Sequence, residues 1–451
     1  MEKKNNSLVL GMSVISSIFF IFGFATTFII TLSSKVKDIF TLSEASAQLL
    51  TGAFFLTYLV LSIPSGLVIR KIGYKTAVIT GLLLMAVGAF MFYPAAKVPS
   101  FPLFLAATFV LAAGVVFLQT SANPYVVALG SSETASGRLN LTQALNSIAT
   151  MIAPYIISVF IFKGVSEMMT PQESAQTVQI PFVLMGVIVL LVAFAILMIK
   201  LPKITGSVEQ SRKSVWKYPH VLLGALAIFC YVGAEVGNAG LLVNFLNDKL
   251  GMTKENASTY AAIYWGGAMV GRFFGSIMMS DIKDPSRKYL YFALVLVLAV
   301  VSGAFVTDWN WTIGLIFLGT SFINLLAIQL GRGNANRTLA VFALIAAGLA
   351  ITTTFAPGNI ALWTLVSIGL FNSVMFPNIF SLAVRDLDAG EMSTASGIIN
   401  TLIVGGAVVP VIMGRIADSP ALGYSWAFIV PAICYLYIFF FGVKGSKIRT
   451  A

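Results

Sequence analysis

Two nearly identical heptapeptides stand far apart in the chain: TASGRLN occupies Thr134–Asn140 and TASGIIN occupies Thr394–Asn400. They are 394 − 134 = 260 positions apart. A second pair precedes them in the same order, because GVVFLQTSANP from Gly114 can be laid over GLFNSVMFPN from Gly369 at a spacing of 255. Chance similarity in an apolar chain is the alternative. Two matches in the same order favour an internal duplication, a parallel repeat of the kind that builds many membrane transporters.

The composition of the whole chain indicates a lipid bilayer as its environment. Of 451 residues, 58% are apolar and only 10% are charged, with a mean hydropathy of +0.92, whereas soluble domains carry roughly 25% charged residues. Uncharged stretches of about 18 residues or more predict membrane-spanning helices. Fourteen such stretches occur, at 8–32, 46–69, 76–95, 101–123, 139–162, 180–199, 221–246, 258–280, 289–307, 311–330, 338–356, 360–384, 396–414 and 424–443. The predicted fold class is therefore an all-α membrane protein.

The net charge of +11 is explained by topology rather than by a nucleic-acid partner. An even number of spans places both termini on one side. If that side is the cytoplasm, twenty of the 28 Lys and Arg residues lie inside and seven outside, with Arg272 left within a span, as the positive-inside rule requires. The N-terminal MEKKNN precedes an uncharged stretch without a small-residue cleavage pattern, which favours a retained first span. We expect a multi-pass protein of the cell inner membrane with cytoplasmic termini.

The repeat also predicts the domain organisation. The polar stretch LPKITGSVEQSRKSVWKY at 201–218 is interpreted as a cytoplasmic linker. It separates an N-terminal six-helix bundle, 1–200, from a C-terminal bundle, 219–451.

An insertion in the second half follows from the spacing of the matches. GLVIRKIGYK from Gly66 resembles GRFFGSIMMSDIKDPSRK from Gly271 at a spacing of 271 − 66 = 205, about 50 residues less than the later matches require. Two helices and a short loop occupy that length. We therefore predict two six-helix bundles related by a pseudo-twofold repeat, plus an inserted two-helix hairpin at about 289–330.

These residues also carry a family resemblance. GLVIRKIGYK resembles the major facilitator superfamily motif between helices two and three, Gly-x-x-x-Asp-Arg-x-Gly-Arg-Lys, with Arg70 in place of its acid and Tyr74 in place of one base. QTSANPYVVALG and RLNLTQALNSIA in the first half, and YVGAEVGNAGLLVNF in the second, resemble the fucose, galactose and glucose permease branch. The resemblance covers nearly the whole chain apart from the hairpin. It implies a major facilitator fold and sugar transport coupled to protons or sodium.

One departure from that branch concerns proton coupling. Its fucose/proton symporters carry a proton-handling acid in helix one and another in helix four. In this chain the corresponding positions hold Ile30 and Gln119. The resemblance therefore does not transfer the fucose-type proton mechanism to this protein.

Glu235 is the acid that the sequence singles out, because the other sixteen of the seventeen Asp and Glu residues lie in loops, at span ends or beside the linker. A charge near the bilayer centre costs at least about 2.5 kcal/mol and usually faces a polar cavity or a partner. Asn238 lies one turn away on the same helix face. Glu235 is the predicted coupling residue: it can accept hydrogen bonds from sugar hydroxyls, ligate sodium or carry a proton. A structural partnership with Arg272 is the alternative.

A neutral sugar needs side chains that both donate and accept hydrogen bonds, and amides do so. Gln143 and Asn146 lie three residues apart on one helix face and match amides that the resembling permeases use. Tyr264 and Trp265 are candidates for an aromatic platform under the sugar ring. Further candidate amides are Gln119, Asn123, Asn372, Asn378 and Asn400, beside Glu235 and Asn238. Helix-packing hydrogen bonds are the alternative role for each amide.

Four basic residues at predicted cytoplasmic span ends are candidates for a gate: Arg70, Lys71, Lys75 and Arg138. They would hold the inner mouth closed by bonding helix C-termini or acids. As topology signals alone they would need no such role.

The leading functional hypothesis is a secondary active importer of a hexose, glucose or galactose, working by alternating access and coupled to sodium or a proton. We expect a monomer with no resident cofactor or metal other than a possible sodium ion near Glu235. An uncoupled sugar uniporter is the alternative.

An intramembrane glycosyl or prenyl transferase is disfavoured because no span holds two acids. Nucleotide-driven transport is disfavoured because no GxxxxGK[ST] motif occurs. Cys230 and Cys434 form no CxxC motif, which excludes a disulfide framework or a zinc site.

Overall fold

The computed structural model of the chain is almost entirely helical. It describes residues 2–128, 135–162, 169–199, 217–278, 284–385 and 397–448, with the single positions 282, 387 and 395; the side chains of 2–12, 70 and 123–141 are not described. These residues contain no β-strand. Contacts divide the chain into two compact units, Met1–Gly206 and Ser207–Ala451.

The described residues of the first unit form six long helices. They are α1 (Glu2–Ile39), α2 (Leu49–Ile72), α3 (Tyr74–Lys97), α4 (Phe101–Ala128), α5 (Ala135–Ile157) and α6 (Gln179–Met198). A π-helical turn, Ser158–Phe162, extends α5. A short helix, Pro171–Gln176, precedes α6 and begins at a capping box in which Thr170 and Glu173 bond each other's backbone N–H groups.

In the part of the second unit that the structure describes, nine helices have nine residues or more. They are α7 (Pro219–Leu250), α8 (Lys254–Met278), α9 (Pro285–Phe305), α10 (Trp311–Leu330), α11 (Ala335–Phe355), α12 (Gly358–Asn372), α13 (Met375–Ala383), α14 (Gly405–Ala417) and α15 (Ile429–Phe440). A 3₁₀ turn, Leu402–Val404, leads into α14, and a short helix, Gly423–Ala427, precedes α15. Together α12 and α13 form one membrane-spanning segment with a break in it.

Thirteen segments of the described chain are long and apolar enough to cross a membrane. They correspond to thirteen of the fourteen predicted stretches. The remaining stretch, 258–280, corresponds to α8, which has 25 residues but does not belong to the thirteen. Lys254, Glu255 and Arg272 lower its hydropathy. Because α8 packs against α7, α9, α10 and α12, little of it needs to face lipid.

The predicted end of the first span at residue 32 is wrong, since α1 continues to Ile39. Lys35 is only 1% exposed within the unit, and Lys37 forms a 3.0 Å ion pair with the buried carboxylate of Glu44. The predicted end rested on the charges of Lys35 and Lys37. The helix continues because the protein, rather than water, surrounds these side chains.

The two units share a helix-packing pattern. In the first unit α1 packs on α5, α2 on α4, and α3 on both α4 and α6. In the second unit α7 packs on α14, α8 on α12, and α11 on both α12 and α15. Matching the patterns leaves α9 and α10, which pack against each other and against α8. These two helices occupy the place of the predicted hairpin.

Glycines allow α8 to approach α12 closely. Gly267, Gly271 and Gly275 recur every four residues on α8, and a Cβ at Gly267 would lie 2.8 Å from the backbone nitrogen of Leu370. On α12, a Cβ at Gly369 would collide with the carbonyl oxygen of Tyr264. Small residues at such spacing are how helices make close contact in membranes.

Proline explains the break between α12 and α13. Pro377 has no N–H group for the carbonyl four residues earlier, that of Ser373, and its ring clashes with that carbonyl in a regular helix. The helix accordingly stops at Asn372 and restarts at Met375. A carbonyl freed in this way within a membrane must find another donor. Arg272 supplies one, because its Nε donates to the Ser373 oxygen at 3.4 Å.

A glycine substitution tests this packing. Gly369→Ala should destabilise the protein by about 1–3 kcal/mol, because the added methyl group would push backbone against backbone. Gly348→Ala on α11 is the matched control, since a Cβ there meets nothing within 4 Å. Thermal unfolding of the purified protein in detergent should show a lower Tm for Gly369→Ala only. Equal Tm values for the two variants would contradict the close approach.

Candidate functional site

Four helices of the second unit bring six buried polar side chains into one hydrogen-bonded group, the tyrosine–amide cluster. Its members are Tyr231, Glu235 and Asn238 on α7, Tyr264 on α8, Asn372 on α12 and Tyr435 on α15. All six are buried, and Glu235, at 8%, keeps the largest exposed fraction. Such a group within apolar helices is expensive unless its members satisfy one another.

The carboxylate of Glu235 is held from its own helix. The hydroxyl group of Tyr231, one turn earlier, donates to Glu235 Oε1 at 2.7 Å. The hydroxyl group of Tyr264 donates to the backbone carbonyl of Glu235 at 2.9 Å. These two bonds orient the acid and tie α7 to α8 at its level.

Asn372 connects the other members. Its Nδ2 donates to the Tyr264 hydroxyl at 2.8 Å, and its Oδ1 accepts from the Tyr435 hydroxyl at 2.8 Å. Its backbone carbonyl, at the end of α12, lies 3.2 Å from the Tyr231 hydroxyl. The single hydroxyl proton of Tyr231 therefore has two acceptors, Glu235 and Asn372.

Asn238 leaves one acceptor of the cluster unused. Its Nδ2 donates to the Tyr435 hydroxyl at 3.1 Å, whereas its buried Oδ1 has no hydrogen-bond partner in the described part of the chain. A buried unpaired oxygen costs about 1–3 kcal/mol. An acceptor left at that cost beside a buried acid is a candidate contact for a ligand.

The alternative role of Glu235 as an ion-pair partner of Arg272 does not match the geometry. The salt bridges formed by the described side chains include none between these two residues. Arg272 donates instead to the Ser373 carbonyl at the helix break.

The chemistry of the cluster is that of an oxygen-rich site with one negative charge. Carboxylate, amide and phenolic oxygens and the carbonyl oxygens of a broken helix are groups with which transporters hold small cations. The same groups can also accept and donate hydrogen bonds to hydroxyls. The cluster can therefore serve a monovalent cation, a sugar or both.

Three of the amides predicted as sugar contacts, Gln119, Gln143 and Asn146, are described in the first unit, outside the tyrosine–amide cluster. The hydroxyl group of Tyr58 donates to Gln119 Oε1 at 2.6 Å. Gln143 is half-buried on α5. Asn146 donates to the Phe19 carbonyl of α1 at 2.8 Å, and Gly23 provides the space for it. Asn146 thus makes a helix-packing hydrogen bond, the alternative role considered for such amides.

The remaining candidates of the second unit lie outside the hydrogen-bonded cluster. Asn378 is buried on α13, and its Nδ2 has no partner among the described groups. Asn400 is half-buried in the helical turn before α14. Trp265 packs edge-to-face on Tyr264 with ring centroids 5.5 Å apart, and its buried Nε1 likewise has no described partner. Tyr264 acts here through its hydroxyl group rather than as an open ring face.

Two of the four predicted gate residues, Lys71 and Lys75, have side chains that the structure describes. Lys75 donates to the carbonyls of Leu197 and Ile199 at 3.0 and 2.8 Å, and so caps the C-terminus of α6. Lys71 is exposed. The side chains of Arg70 and Arg138, and that of the candidate amide Asn123, lie outside the described residues.

Tyr231 and Tyr435 were not among the candidates predicted from the sequence. Tyr231 precedes Glu235 by four residues, so helical periodicity alone places it on the same face. No comparable signal marks Tyr435, which lies in the aromatic-rich stretch PAICYLYIFF. Its partners on α7 and α12 are distant in sequence.

Comparison with known proteins agrees with this architecture. The family model of the Major Facilitator Superfamily matches residues 14–334. The chain is 37% identical over 442 residues to the glucose/galactose transporter of Brucella abortus biovar 1 (strain 9-941), with 97% of this chain and 94% of that protein covered. It is 30% identical over 471 residues to the L-fucose-proton symporter of Escherichia coli (strain K12), with 99% and 95% covered.

A solved structure also shows this similarity. The crystal structure of the Escherichia coli fucose:proton symporter superposes with a TM-score of 0.67 at 28% identity, covering 98% of this chain and all of that chain. The fold, the matching family model and these relatives define a multi-pass membrane transporter rather than an enzyme. The chain belongs to the major facilitator superfamily. The predicted family and fold class are confirmed.

Proposed function

We propose that this protein is a secondary active transporter that imports a hexose, glucose or galactose, together with a cation through alternating access. It would work in the cell inner membrane with both termini in the cytoplasm, as the distribution of Lys and Arg favours. The observation that carries the proposal is the tyrosine–amide cluster, which holds one acid, Glu235, among neutral donors and acceptors. The substrate class is supported by the relatives named as glucose/galactose transporters.

The coupling role of Glu235 is supported by its surroundings. Its carboxylate has no salt bridge to a described residue, so a bound cation or proton would neutralise its charge without breaking an ion pair. Asn238 Oδ1 offers a second oxygen on the same helix face. In the first unit, Gln119 is neutral and its Oε1 is already used by Tyr58, so that position cannot take up a proton. Coupling through Glu235 needs no second acid.

Transport by the purified protein in liposomes tests the proposal. Uptake of radiolabelled glucose, galactose and L-fucose would be measured under a sodium gradient alone, a proton gradient alone and no gradient. We expect glucose or galactose to accumulate above its equilibrium concentration under one of the two ion gradients. Each positive charge moved with the sugar would supply about 2.3 kcal/mol per 100 mV, or about fifty-fold accumulation.

The other outcomes distinguish the alternatives. Uptake that only reaches equilibrium under every gradient would identify a uniporter and refute coupling. Accumulation of L-fucose in preference to glucose and galactose would refute the substrate assignment. Absence of uptake of all three sugars, by protein that remains monodisperse, would refute hexose transport itself.

A further inference from the structure

The α9–α10 hairpin carries a buried polar pair on its second helix. Ser321 and Asn324 of α10 are fully buried, whereas Phe322, Ile323 and Leu326 on the same helix are exposed on the unit's surface. Three exposed apolar residues suit a lipid-facing helix. Polar side chains on the opposite face of such a helix usually bond a neighbouring helix.

Asn324 makes such a bond. Its Nδ2 donates to the carbonyl oxygen of Leu370 on α12 at 2.9 Å. Leu370 lies two residues before Asn372, the residue that joins Tyr264 and Tyr435 in the tyrosine–amide cluster. The hairpin thus contacts the last turn of α12, where the helix breaks.

Three carbonyls around this break accept hydrogen bonds from side chains of three different helices. Asn324 of α10 bonds Leu370 O, Tyr231 of α7 bonds Asn372 O, and Arg272 of α8 bonds Ser373 O. The Ser373 hydroxyl also bonds Leu370 O at 2.7 Å, but this bond lies within the broken segment and ties it to nothing else. The hydrogen bond that links Leu370 O to another helix therefore comes from α10.

The three hydrogen bonds at the break come from helices that differ in whether the first unit has a counterpart. Helices α7 and α8 have counterparts in the first unit, α1 and α2, whereas α10 belongs to the pair without a counterpart. A Pro-broken helix end has lost its regular backbone bonds and needs outside partners to keep one conformation. In this chain, one of those partners is supplied by the additional hairpin.

We propose that Asn324 is a positioning residue for the sugar site: through Leu370 O it holds the end of α12, and with it Asn372, in the geometry that binds sugar. The inference rests on the proposed function, since it assigns the hairpin a part in sugar affinity. Asn324 itself does not contact the substrate. Loss of its bond should loosen the break and weaken sugar binding without slowing the transport cycle at saturation.

The test compares Asn324→Leu, which removes the donor at similar size, with Ser321→Ala. Ser321 is the matched control because it is equally buried one turn earlier on α10 and its Oγ has no partner within the described residues. Asn324→Leu should raise the KM for glucose or galactose about threefold to tenfold, in keeping with a buried interhelical hydrogen bond. Vmax should stay within about twofold. Ser321→Ala should change neither.

Two further variants and a second readout complete the design. Asn324→Ser, whose hydroxyl is too short to reach α12, should reproduce the rise in KM if the leucine variant fails to fold, and Asn324→Gln, which retains the amide donor, should restore most of the affinity. Hydrogen–deuterium exchange of purified protein should be faster at 371–376 in Asn324→Leu or Asn324→Ser than in Ser321→Ala. If Asn324 had a purely structural role, its substitution would lower Vmax and the stability of the protein and would leave KM unchanged.

The results separate the inference from the proposed function. If the wild-type protein and Ser321→Ala transport no hexose, the proposed function fails, while the exchange measurement still shows whether Asn324 holds the break. If the wild type transports but the Asn324 variants match Ser321→Ala in both KM and exchange, the inference is refuted.

Discussion

Glu235→Gln is expected to abolish ion-driven accumulation of sugar. Glutamine has almost the same shape and can still accept the hydrogen bond from Tyr231, but it carries no charge and no titratable proton. The variant should therefore fold, yet lack the charged group that we propose binds the coupling ion. The expected loss is the whole ion-driven gain, about fifty-fold per charge at 100 mV. Counterflow, the exchange of labelled for unlabelled sugar without a gradient, should persist.

The measurement is radiolabelled uptake into proteoliposomes with an imposed ion gradient and membrane potential. Asp248→Asn on the same helix is the matched control, because Asp248 is a half-exposed acid that pairs with Lys249 near the end of α7. It should accumulate sugar like the wild type. Full accumulation by Glu235→Gln would contradict the coupling role and leave Glu235 as a binding or structural residue.

Asn372→Ala is expected to produce the second largest effect. The substitution removes the acceptor of the Tyr435 hydroxyl and the donor to the Tyr264 hydroxyl, both of which are buried. Each buried group left unsatisfied costs about 1–3 kcal/mol. We expect a loss of about 2–4 kcal/mol in stability and a rise of more than tenfold in the KM for sugar.

Asn378→Ala is the matched control for this substitution. Asn378 is also a buried amide, six residues later on α13, but its Nδ2 has no partner in the described structure. Its removal should cost less than about 1 kcal/mol, since no donor is lost to a neighbouring group. Thermal unfolding would be measured on both variants, and uptake kinetics on Asn372→Ala. If the Asn378 substitution proves as damaging as that of Asn372, the cluster is not what holds these helices.

Several features of the fold were predictable because they depend on local composition. Apolar length predicted the spans, since a bilayer imposes the same requirement on each of them. The spacing of the repeated heptapeptides and of the loop matches predicted an insertion at about 289–330, and α9 and α10 lie there. The predicted end of the first span was wrong because a charged residue was assumed to face water. Lys35 is instead buried within the protein.

The candidate site was predictable only in part. Glu235 and Asn238 could be identified because an acid is rare inside a span and because i, i+3 spacing places both on one helix face. Tyr264 and Asn372 were candidates, but their hydrogen bond to each other joins residues 108 positions apart. Tyr435 was missed since its partners lie on helices far away in sequence.

Three properties of this chain can be obtained from its amino-acid sequence alone: it crosses a membrane many times, its halves repeat, and Glu235 lies within a span. Hydropathy and helical periodicity are local properties, so the sequence contains them in full. Which polar groups satisfy one another, by contrast, depends on tertiary packing: Asn146 bonds α1, Asn372 joins two tyrosines, and Asn324 bonds the end of α12 at its break. A buried amide has the same local signature in each role, and its partner is set by how distant helices pack.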